Sequence, residues 1–202
     1  QAGIYGTKGT ASATNKPGGR YSGTAQMNAG GNAFLFGGLG RYANNVEKRM
    51  NDLWMYNTSA NTWTWLSGDN IFNPGGTGIY GTKGVSAAGN VPGYRNEMNS
   101  WIDAAGNFMI FGGLGRDIDG NAVEMNDVWG YNTQTTQWAW FSGDSAIDMP
   151  GIYGTKGIAA AANRPGSRQG MALSKDAQGN VWMLGGYGFD INQGEDFLND
   201  LW

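Results

Sequence analysis

The heptapeptide GIYGTKG at residues 3–9 returns unchanged at residues 78–84 and 151–157, so its copies lie 75 and then 73 residues apart. Two further markers keep the same spacing. A pair of glycines recurs at residues 37–38, 112–113 and 185–186, and an Asn-Asp-(Leu/Val)-Trp motif recurs at residues 51–54, 126–129 and 199–202. Three markers in one register identify an internal repeat, and the repeat decides the architecture.

Each complete copy has the pattern of four short β-strands joined by turns. In the first copy, polar and non-polar side chains alternate over residues 20–27, and residues 32–36 are rich in Phe and Leu. Residues 53–57 and 62–66 each place two aromatic side chains on one face, and Gly, Asn, Ser and Thr separate the segments. The sequence therefore predicts an all-β chain of four-stranded antiparallel meanders without helical periodicity.

A single four-stranded sheet cannot bury both of its faces, so successive copies must stack, and radial stacking gives a β-propeller. The Arg that opens the first strand, the Gly pair that closes the second and the later Trp residues resemble the Kelch family, more narrowly the long-blade variant of bacterial secreted and surface proteins. The resemblance covers the whole chain. It implies blades at about 16–68, 91–143 and 164–202, joined by long connections that contain GIYGTKG.

The predicted propeller is partial, with two complete four-stranded blades plus most of a third. Propellers typically have about four to eight blades, so this segment cannot close a ring by itself. The third blade stops inside its third strand, and an open strand edge is a template for pairing. We therefore expect either that the polypeptide continues beyond residue 202 or that several copies complete one another; two copies would give six blades.

Composition narrows the classes of function. The formal net charge is −3 and charged residues make up 14% of the chain, which gives no basic surface for nucleic acid. No apolar run reaches the roughly 20 residues of a membrane-spanning helix. A chain without Cys that is rich in Gly, Asn, Thr and Trp suits bacterial secreted proteins, so we expect an extracellular or cell-surface location.

The connections between predicted strands are short on one edge of each sheet and long on the other. The loop between the second and third strands has 12 residues in every copy, at 39–50, 114–125 and 187–198. These loops differ in charge; Arg41 lies in the first and Arg116 in the second. Long loops on a rigid scaffold are common binding sites, so we predict that they contact protein or glycan partners. The alternative is that they are only solvated.

The repeated heptapeptide supplies the other candidate binding residues. A ring of tyrosines and lysines could hold glycans or acidic groups by stacking and by charge. Alternatively, each segment folds over its blade and packs its Tyr between neighbours, which would also explain why the copies are identical. These residues are Tyr5, Lys8, Tyr80, Lys83, Tyr153 and Lys156.

The repeated Arg and Asp residues are expected to be structural. In Kelch propellers an Arg at the start of the first strand usually stabilises the fold, which the resemblance implies for Arg20, Arg95 and Arg168. The Asp of the Asn-Asp-(Leu/Val)-Trp motif is expected to accept backbone hydrogen bonds. These residues are Asp52, Asp127 and Asp200.

One loop has part of a calcium-binding pattern. Asp117, Asp119 and Asn121 place oxygen atoms at alternate positions around Gly120, and Glu124 follows. The first copy has no acid at the matching positions. Calcium at these four residues is one interpretation, and an Asp-rich turn without metal is the other; no further cofactor is expected.

Three classes of function remain open. A non-catalytic extracellular binding module is the leading prediction. A structural subunit of a larger extracellular assembly, such as a filament or layer, is favoured by the near-identical repeats and the open third blade. The third is part of a Kelch-propeller enzyme; resemblance to galactose oxidase would imply a copper site that needs His and Cys, and this segment has neither. We therefore predict no catalytic residue here, and such residues would lie outside the segment.

Overall fold

The computed structural model describes residues 1–74, 78–116 and 122–202. These residues form fifteen β-strands and no helix, so the predicted all-β class is confirmed. It follows that no helix in these ranges is long and apolar enough to cross a membrane.

The strands repeat in the same order as the sequence markers, and most strands are short. They are β1 (Arg20–Tyr21), β2 (Thr24–Met27), β3 (Asn32–Phe36), β4 (Leu39–Arg41), β5 (Glu47–Arg49), β6 (Leu53–Asn57), β7 (Thr62–Ser67), β8 (Asn99–Ile102), β9 (Phe108–Arg116), β10 (Ala122–Asn132), β11 (Gln137–Ser142), β12 (Arg168–Gln169), β13 (Ala172–Lys175), β14 (Val181–Phe189) and β15 (Glu195–Leu201).

Each repeat contributes one main antiparallel sheet. The strand order is β2–β3–β6–β7 in the first repeat and β8–β9–β10–β11 in the second. In the third, β14 lies between β15 and the two short strands β12 and β13. The register places Leu35 opposite Trp54, and Trp54 opposite Trp65. Since directly opposed side chains lie on the same face of a sheet, these three residues form an apolar row on one face.

The Gly pair divides each repeat into a main sheet and an extension. Gly37 and Gly38 have φ angles of 59° and 95°, a conformation that residues with a Cβ rarely adopt. The chain kinks there and pairs again on the far side, where Leu39 lies opposite Arg49 and Arg41 opposite Glu47. Paired strands also continue past the glycines in the other repeats. We call these extensions, at residues 39–50, 114–125 and 187–198, the hairpin arms.

The hairpin arms correct one prediction, because the segments expected to be 12-residue loops are largely paired β-structure. Apolar alternation predicts strands that have one buried face. The arms form the same backbone hydrogen bonds without that alternation, since polar and charged residues such as Glu47, Lys48 and Arg49 take consecutive positions, so the sequence pattern misses them.

The main sheets pack face to face in chain order. Phe34 and Phe36 from the first sheet meet Phe108 and Trp138 from the second, with the Phe34 and Phe108 ring centroids 5.6 Å apart. A second cluster places Phe111 of the second sheet against residues of the third. The second sheet therefore has another main sheet against each of its faces, whereas the first and third have one each. On the other face of the first sheet, Tyr5 packs against Trp54 and Trp65.

The first strands of successive repeats lie side by side. Gln26 donates a hydrogen bond to the carbonyl of Ser100, and Lys175 donates one to that of Ile102, both at 2.8 Å. The backbone is also linked, since Glu97 N–H donates to Ser22 O at 2.9 Å and Gly170 N–H donates to Glu97 O at 3.0 Å. Successive repeats are thus joined by the same backbone hydrogen bond at equivalent positions.

Candidate functional site

A buried hydrogen-bond network lies at the base of each hairpin arm. In the second repeat, Asp127 accepts two hydrogen bonds from the Arg95 guanidinium at 2.6 and 2.9 Å. It also accepts one from the Tyr80 hydroxyl and one from the Trp129 indole, each at 2.7 Å. We call this set the anchor network. Its members in the three repeats are Tyr5, Arg20, Asp52 and Trp54; Tyr80, Arg95, Asp127 and Trp129; and Tyr153, Arg168, Asp200 and Trp202.

The anchor network joins three segments that are distant in the sequence. Both side chains of the Arg95–Asp127 pair are 0% exposed, and such a pair is tolerated only when every charge is paired and hydrogen bonded. The donors to Asp127 are side chains from the heptapeptide, from Arg95 shortly before β8, and from Trp129, which is in β10 with Asp127 itself. The prediction that these Asp residues accept backbone hydrogen bonds is therefore wrong, because tertiary packing brings stronger, charged donors to the carboxylate.

Arg95 and Tyr80 of the network both have raised pKa values. Burial disfavours the charged Arg95 guanidinium, but Asp127 outweighs burial and raises the pKa of Arg95. Burial, followed by the charge of Asp127, also raises the pKa of Tyr80. Both groups keep their protons across the ordinary pH range, so neither is poised to transfer a proton. The network is suited to holding the base of an arm rigid.

The heptapeptide lies against its own repeat and uses its polar groups there. Lys8 donates a hydrogen bond to Gly68 O at 2.8 Å and lies 4.4 Å from the Trp65 ring centroid. Lys83 does the same with Gly143 O at 2.7 Å and lies 4.2 Å from the Trp140 ring. Burial lowers the pKa of Lys8, against an opposing effect of Asp69.

The tyrosines of the heptapeptide pack against Trp residues of their own repeat, as Tyr5 does against Trp54. Tyr5 is buried and Tyr80 half-buried, and both hydroxyls are bound to the network Asp. In the third copy, Tyr153 is also half-buried, with its hydroxyl 2.6 Å from Asp200.

The first hairpin arm carries an exposed ion pair. Arg41 lies 3.0 Å from Glu47, and their side chains are 40% and 51% exposed. Arg41 also contacts Asn45 at 3.3 Å, so its partners belong to its own arm and not to the heptapeptide. In the second arm, Arg116 ends β9, with its backbone paired to Ala122, and its side chain lies outside the described part of the chain.

The predicted calcium ligands are only partly described. Asp117, Asp119 and Asn121 lie outside the described residues. Glu124 is buried, with 6% exposure, and accepts a hydrogen bond from Gln169 at 2.8 Å. Burial first, then the charges of Glu195 and Asp148, raise its pKa. Within the three described ranges, no group of three or more His, Cys, Asp or Glu residues is placed to hold a metal ion.

Two contacts that the sequence did not reveal join the first and the second arm, one contact each, to the repeat that follows. Arg49 donates a hydrogen bond to the Asn96 side chain at 2.6 Å, and Gln169 donates one to Glu124 at 2.8 Å. Arg49 and Glu124 occupy the same position of the repeat, as do Asn96 and Gln169. The two contacts therefore use the same positions of the repeat but different residue types, so no recurring sequence motif marks them.

An open groove of about 400 Å³ crosses the adjacent first strands of the three repeats. Gln26, Trp101 and Lys175 are among its lining residues. Gln26 and Lys175 already donate hydrogen bonds to backbone carbonyls, which fixes their orientation in the groove.

Solved structures include backbones similar to this one. The structure of YjhT superimposes with a TM-score of 0.54 over 86% of this chain, at 20% sequence identity. The superposition covers 36% of that chain, so the segment spans about a third of its length. At this identity the likeness shows a shared fold and nothing of function. No protein-family model matches the sequence, and a search of curated proteins returns no match.

Proposed function

We propose that this chain is a section of a Kelch-type β-propeller that acts as a non-catalytic extracellular binding module, with its hairpin arms contacting protein or glycan partners. The observation that carries the proposal is the contrast within each repeat. The anchor network is the same in all three repeats, whereas the arms above it differ in charge. A constant base under variable arms suits a scaffold that presents different side chains.

The propeller part of the proposal is supported by the packing of the sheets. Three main sheets stack in chain order, and their first strands lie side by side at one edge. In a propeller, the first strands would surround the axis. The arms, which extend the second and third strands past the Gly pairs, would then share one rim.

The charges of the arms suggest which partner each would take. The first arm has Arg41, Lys48 and Arg49 against Glu47, a net charge of +2, whereas the third has Asp190, Glu195 and Asp196 and no cation, a net charge of −3. The first arm therefore suits an acidic glycan or an acidic protein segment, and electrostatic attraction would speed its association.

Binding to acidic oligosaccharides tests this proposal. Immobilised acidic and neutral oligosaccharides would be presented to the intact chain, to Arg41→Ala/Lys48→Ala and to the control Lys16→Ala, which removes an exposed Lys outside the arms. We expect selective binding of acidic glycans, weakened at least about tenfold in the double variant and unchanged in the control. Equal binding of all three proteins, or no binding of any acidic glycan, would overturn the proposal for this arm.

A structural subunit of a larger extracellular assembly is the second candidate. It is favoured by the face-to-face packing of the three near-identical repeats, in which each main sheet buries an apolar face against the next. Repeats that stack in this way are typical of extended assemblies.

Calcium binding at Asp117, Asp119, Asn121 and Glu124 is a separate proposal. Titration calorimetry with calcium chloride, on the chain and on Asp119→Asn, tests it directly. Heat of binding that disappears in the variant supports the site, and equal traces refute it.

A further inference from the structure

The groove that crosses the first strands of the three repeats lies at the end of the main sheets away from the hairpin arms. Met27, Ile102 and Lys175 occupy the same position of the repeat, each near the end of its first strand, and all three line the groove. The other end of the first strand is beside the Gly pair, where Thr24 lies opposite Phe36. We call this surface the strand-end groove. A ligand bound there would be remote from the arms.

The walls of the strand-end groove are set by contacts inside the chain. Its lining residues lie between positions 26 and 175, two in the first repeat and three in each of the others. Backbone hydrogen bonds join the three first strands, since Glu97 N–H donates to Ser22 O at 2.9 Å and Gly170 N–H donates to Glu97 O at 3.0 Å. The middle strand, β8, therefore has a neighbouring repeat on each side, and these neighbours shape the groove.

One position in the groove changes its residue type from repeat to repeat. Gln26, Trp101 and Ser174 are equivalent in the repeat, whereas every residue of the anchor network is identical in its three copies. Positions that pack between or within repeats keep their residue because their surroundings are the same each time. The varying position is therefore free of that constraint and can supply residues that contact a ligand.

The groove contains polar groups of fixed position. Gln26 Nε2 donates to Ser100 O and Lys175 Nζ donates to Ile102 O, both at 2.8 Å. Within the described part of the chain, Gln26 Oε1 and the Trp101 indole N–H have no hydrogen-bond partner, and both atoms are accessible to solvent. The Lys175 ammonium has two further N–H groups to donate. The groove thus offers one acceptor and several donors beside an aromatic ring.

An added peptide strand is a poor match for this groove. A peptide that extends a sheet needs free backbone acceptors along the strand edge. On β8, the carbonyls of Ser100 and Ile102 are two residues apart and face the same edge, and side chains of the flanking repeats already occupy both. A ligand that pairs with side chains suits the groove better.

Size and charge narrow the class of ligand. The volume of about 400 Å³ is within the range of about 300–1,000 Å³ that is typical of small-molecule sites. Among the described lining residues, Lys175 carries a positive charge and none carries a negative one. Trp101 is half-buried, with part of its ring against the cluster that contains Phe111 and the rest at the groove. A flat ring with hydroxyl groups and a carboxylate matches these features.

From this geometry we propose that the strand-end groove binds a short acidic oligosaccharide. The Trp101 ring packs against the non-polar side of a sugar ring, Gln26 Oε1 accepts a hydrogen bond from a hydroxyl, and Lys175 attracts the carboxylate. The site goes beyond the function proposed for the arms and does not rest on it, because the two surfaces share no residue.

The indole N–H signal of Trp101 in a ¹⁵N–¹H NMR spectrum reports on this site alone. The signal is assigned by its absence in Trp101→Phe, and the labelled chain is then titrated with trigalacturonate and, separately, with the neutral probe cellotriose. We expect the Trp101 signal to shift saturably with trigalacturonate, and at lower concentrations than with cellotriose.

Variants of exposed residues separate the groove from the arms. Ser174→Phe fills the groove and should abolish the shift, and Lys175→Met should weaken binding of trigalacturonate at least about tenfold. Lys16→Met is the matched control, because Lys16 is exposed and lies outside the groove. It should titrate like the intact chain, and so should the arm variant Arg41→Ala/Lys48→Ala.

Three results would overturn the proposal. The first is a Trp101 signal that does not move in millimolar trigalacturonate. The second is a shift that persists unchanged in Ser174→Phe and Lys175→Met while circular dichroism shows that they are folded. The third is a shift that is lost in the arm variant and kept in both groove variants, which would place the ligand on the arms. If Ser174→Phe does not fold, the comparison of Lys175→Met with Lys16→Met decides.

Discussion

The second and third repeats contain the same anchor network but differ in what surrounds it. The Arg–Asp contact is 2.6 Å in the second repeat and 2.5 Å in the third. Both side chains of the second pair are 0% exposed, whereas Asp200 of the third pair is 14% exposed. In the second repeat the chain that follows the fourth strand packs on the network, because a Cβ on Gly143 would lie 2.7 Å from the Cα of Asp127. The comparison teaches that the repeat sets the geometry of the network, while the chain packed around it sets how much solvent screens it.

The largest effect is expected from removing the network carboxylate in the second repeat. Asp127→Ala leaves the Arg95 guanidinium buried without its counter-charge, which should lower the free energy of unfolding by about 3–5 kcal/mol. Asp200→Ala should cost less, about 1–2 kcal/mol, because water can reach part of the third network. Urea denaturation of both variants measures the difference, and equal losses would show that the exposure of the network carboxylate does not matter.

A smaller effect is expected from removing one hydroxyl. Tyr80→Phe deletes a hydrogen bond to Asp127, which still has Arg95 and Trp129 as donors, so we expect a loss of about 1.5 kcal/mol. Tyr153→Phe should cost less than about 1 kcal/mol, since its surroundings are more open. Thermal unfolding of the pair provides the measurement; a larger loss for Tyr153→Phe would contradict the comparison.

The pH dependence of stability sharpens the comparison for Asp200. Burial opposes its ionisation, but hydrogen bonds from Arg168, Tyr153 and Trp202 outweigh burial and lower its pKa to about 2. A carboxyl whose pKa is depressed on folding contributes its stability above the unfolded pKa of about 3.9 and loses it as pH falls through 2. The difference in stability between the chain and Asp200→Asn should therefore be constant above pH ~4 and shrink towards pH 2. A difference independent of pH would refute this.

The smallest effect is expected on the exposed side of the molecule. Arg41→Ala removes an ion pair with Glu47 in the solvated first arm, where pairs contribute little. We expect a change in unfolding free energy within about 0.5 kcal/mol, measured under the same denaturation conditions. A loss comparable to that of Asp127→Ala would mean that the arm supports the fold as much as the network does.

Particular elements show how far sequence patterns reach. The alternation and aromatic content of residues 32–36, 53–57 and 62–66 predicted β3, β6 and most of β7, because each has a buried face. The pattern did not predict β4 and β5, which are three residues each and contain Gly40 and four charged side chains in place of an apolar alternation. It also did not predict that Ser22 and Glu97 adopt positive φ angles of 52° and 58°, which break the first strand. Nothing in an isolated Ser or Glu signals this conformation.

The candidate site also has features that the sequence predicts and features that it does not. The Tyr, Arg, Asp and Trp of the network could each be found as a repeated residue, but their mutual contact could not, since Tyr80 and Asp127 are 47 residues apart. The contacts of each arm with the next repeat left no recurring motif at all. They depend on position in the repeat, and the residue types change from one junction to the next.

The sequence by itself determined the repeat, the all-β class and the positions of the buried strands, because burial forces side chains to alternate and leaves a period in the chain. Only the tertiary structure decided which groups satisfy the buried charges, where paired strands continue past the Gly pairs and which apolar faces meet. Those features depend on which surfaces meet in space, and distances between segments remote in sequence are fixed by packing, not by local preference.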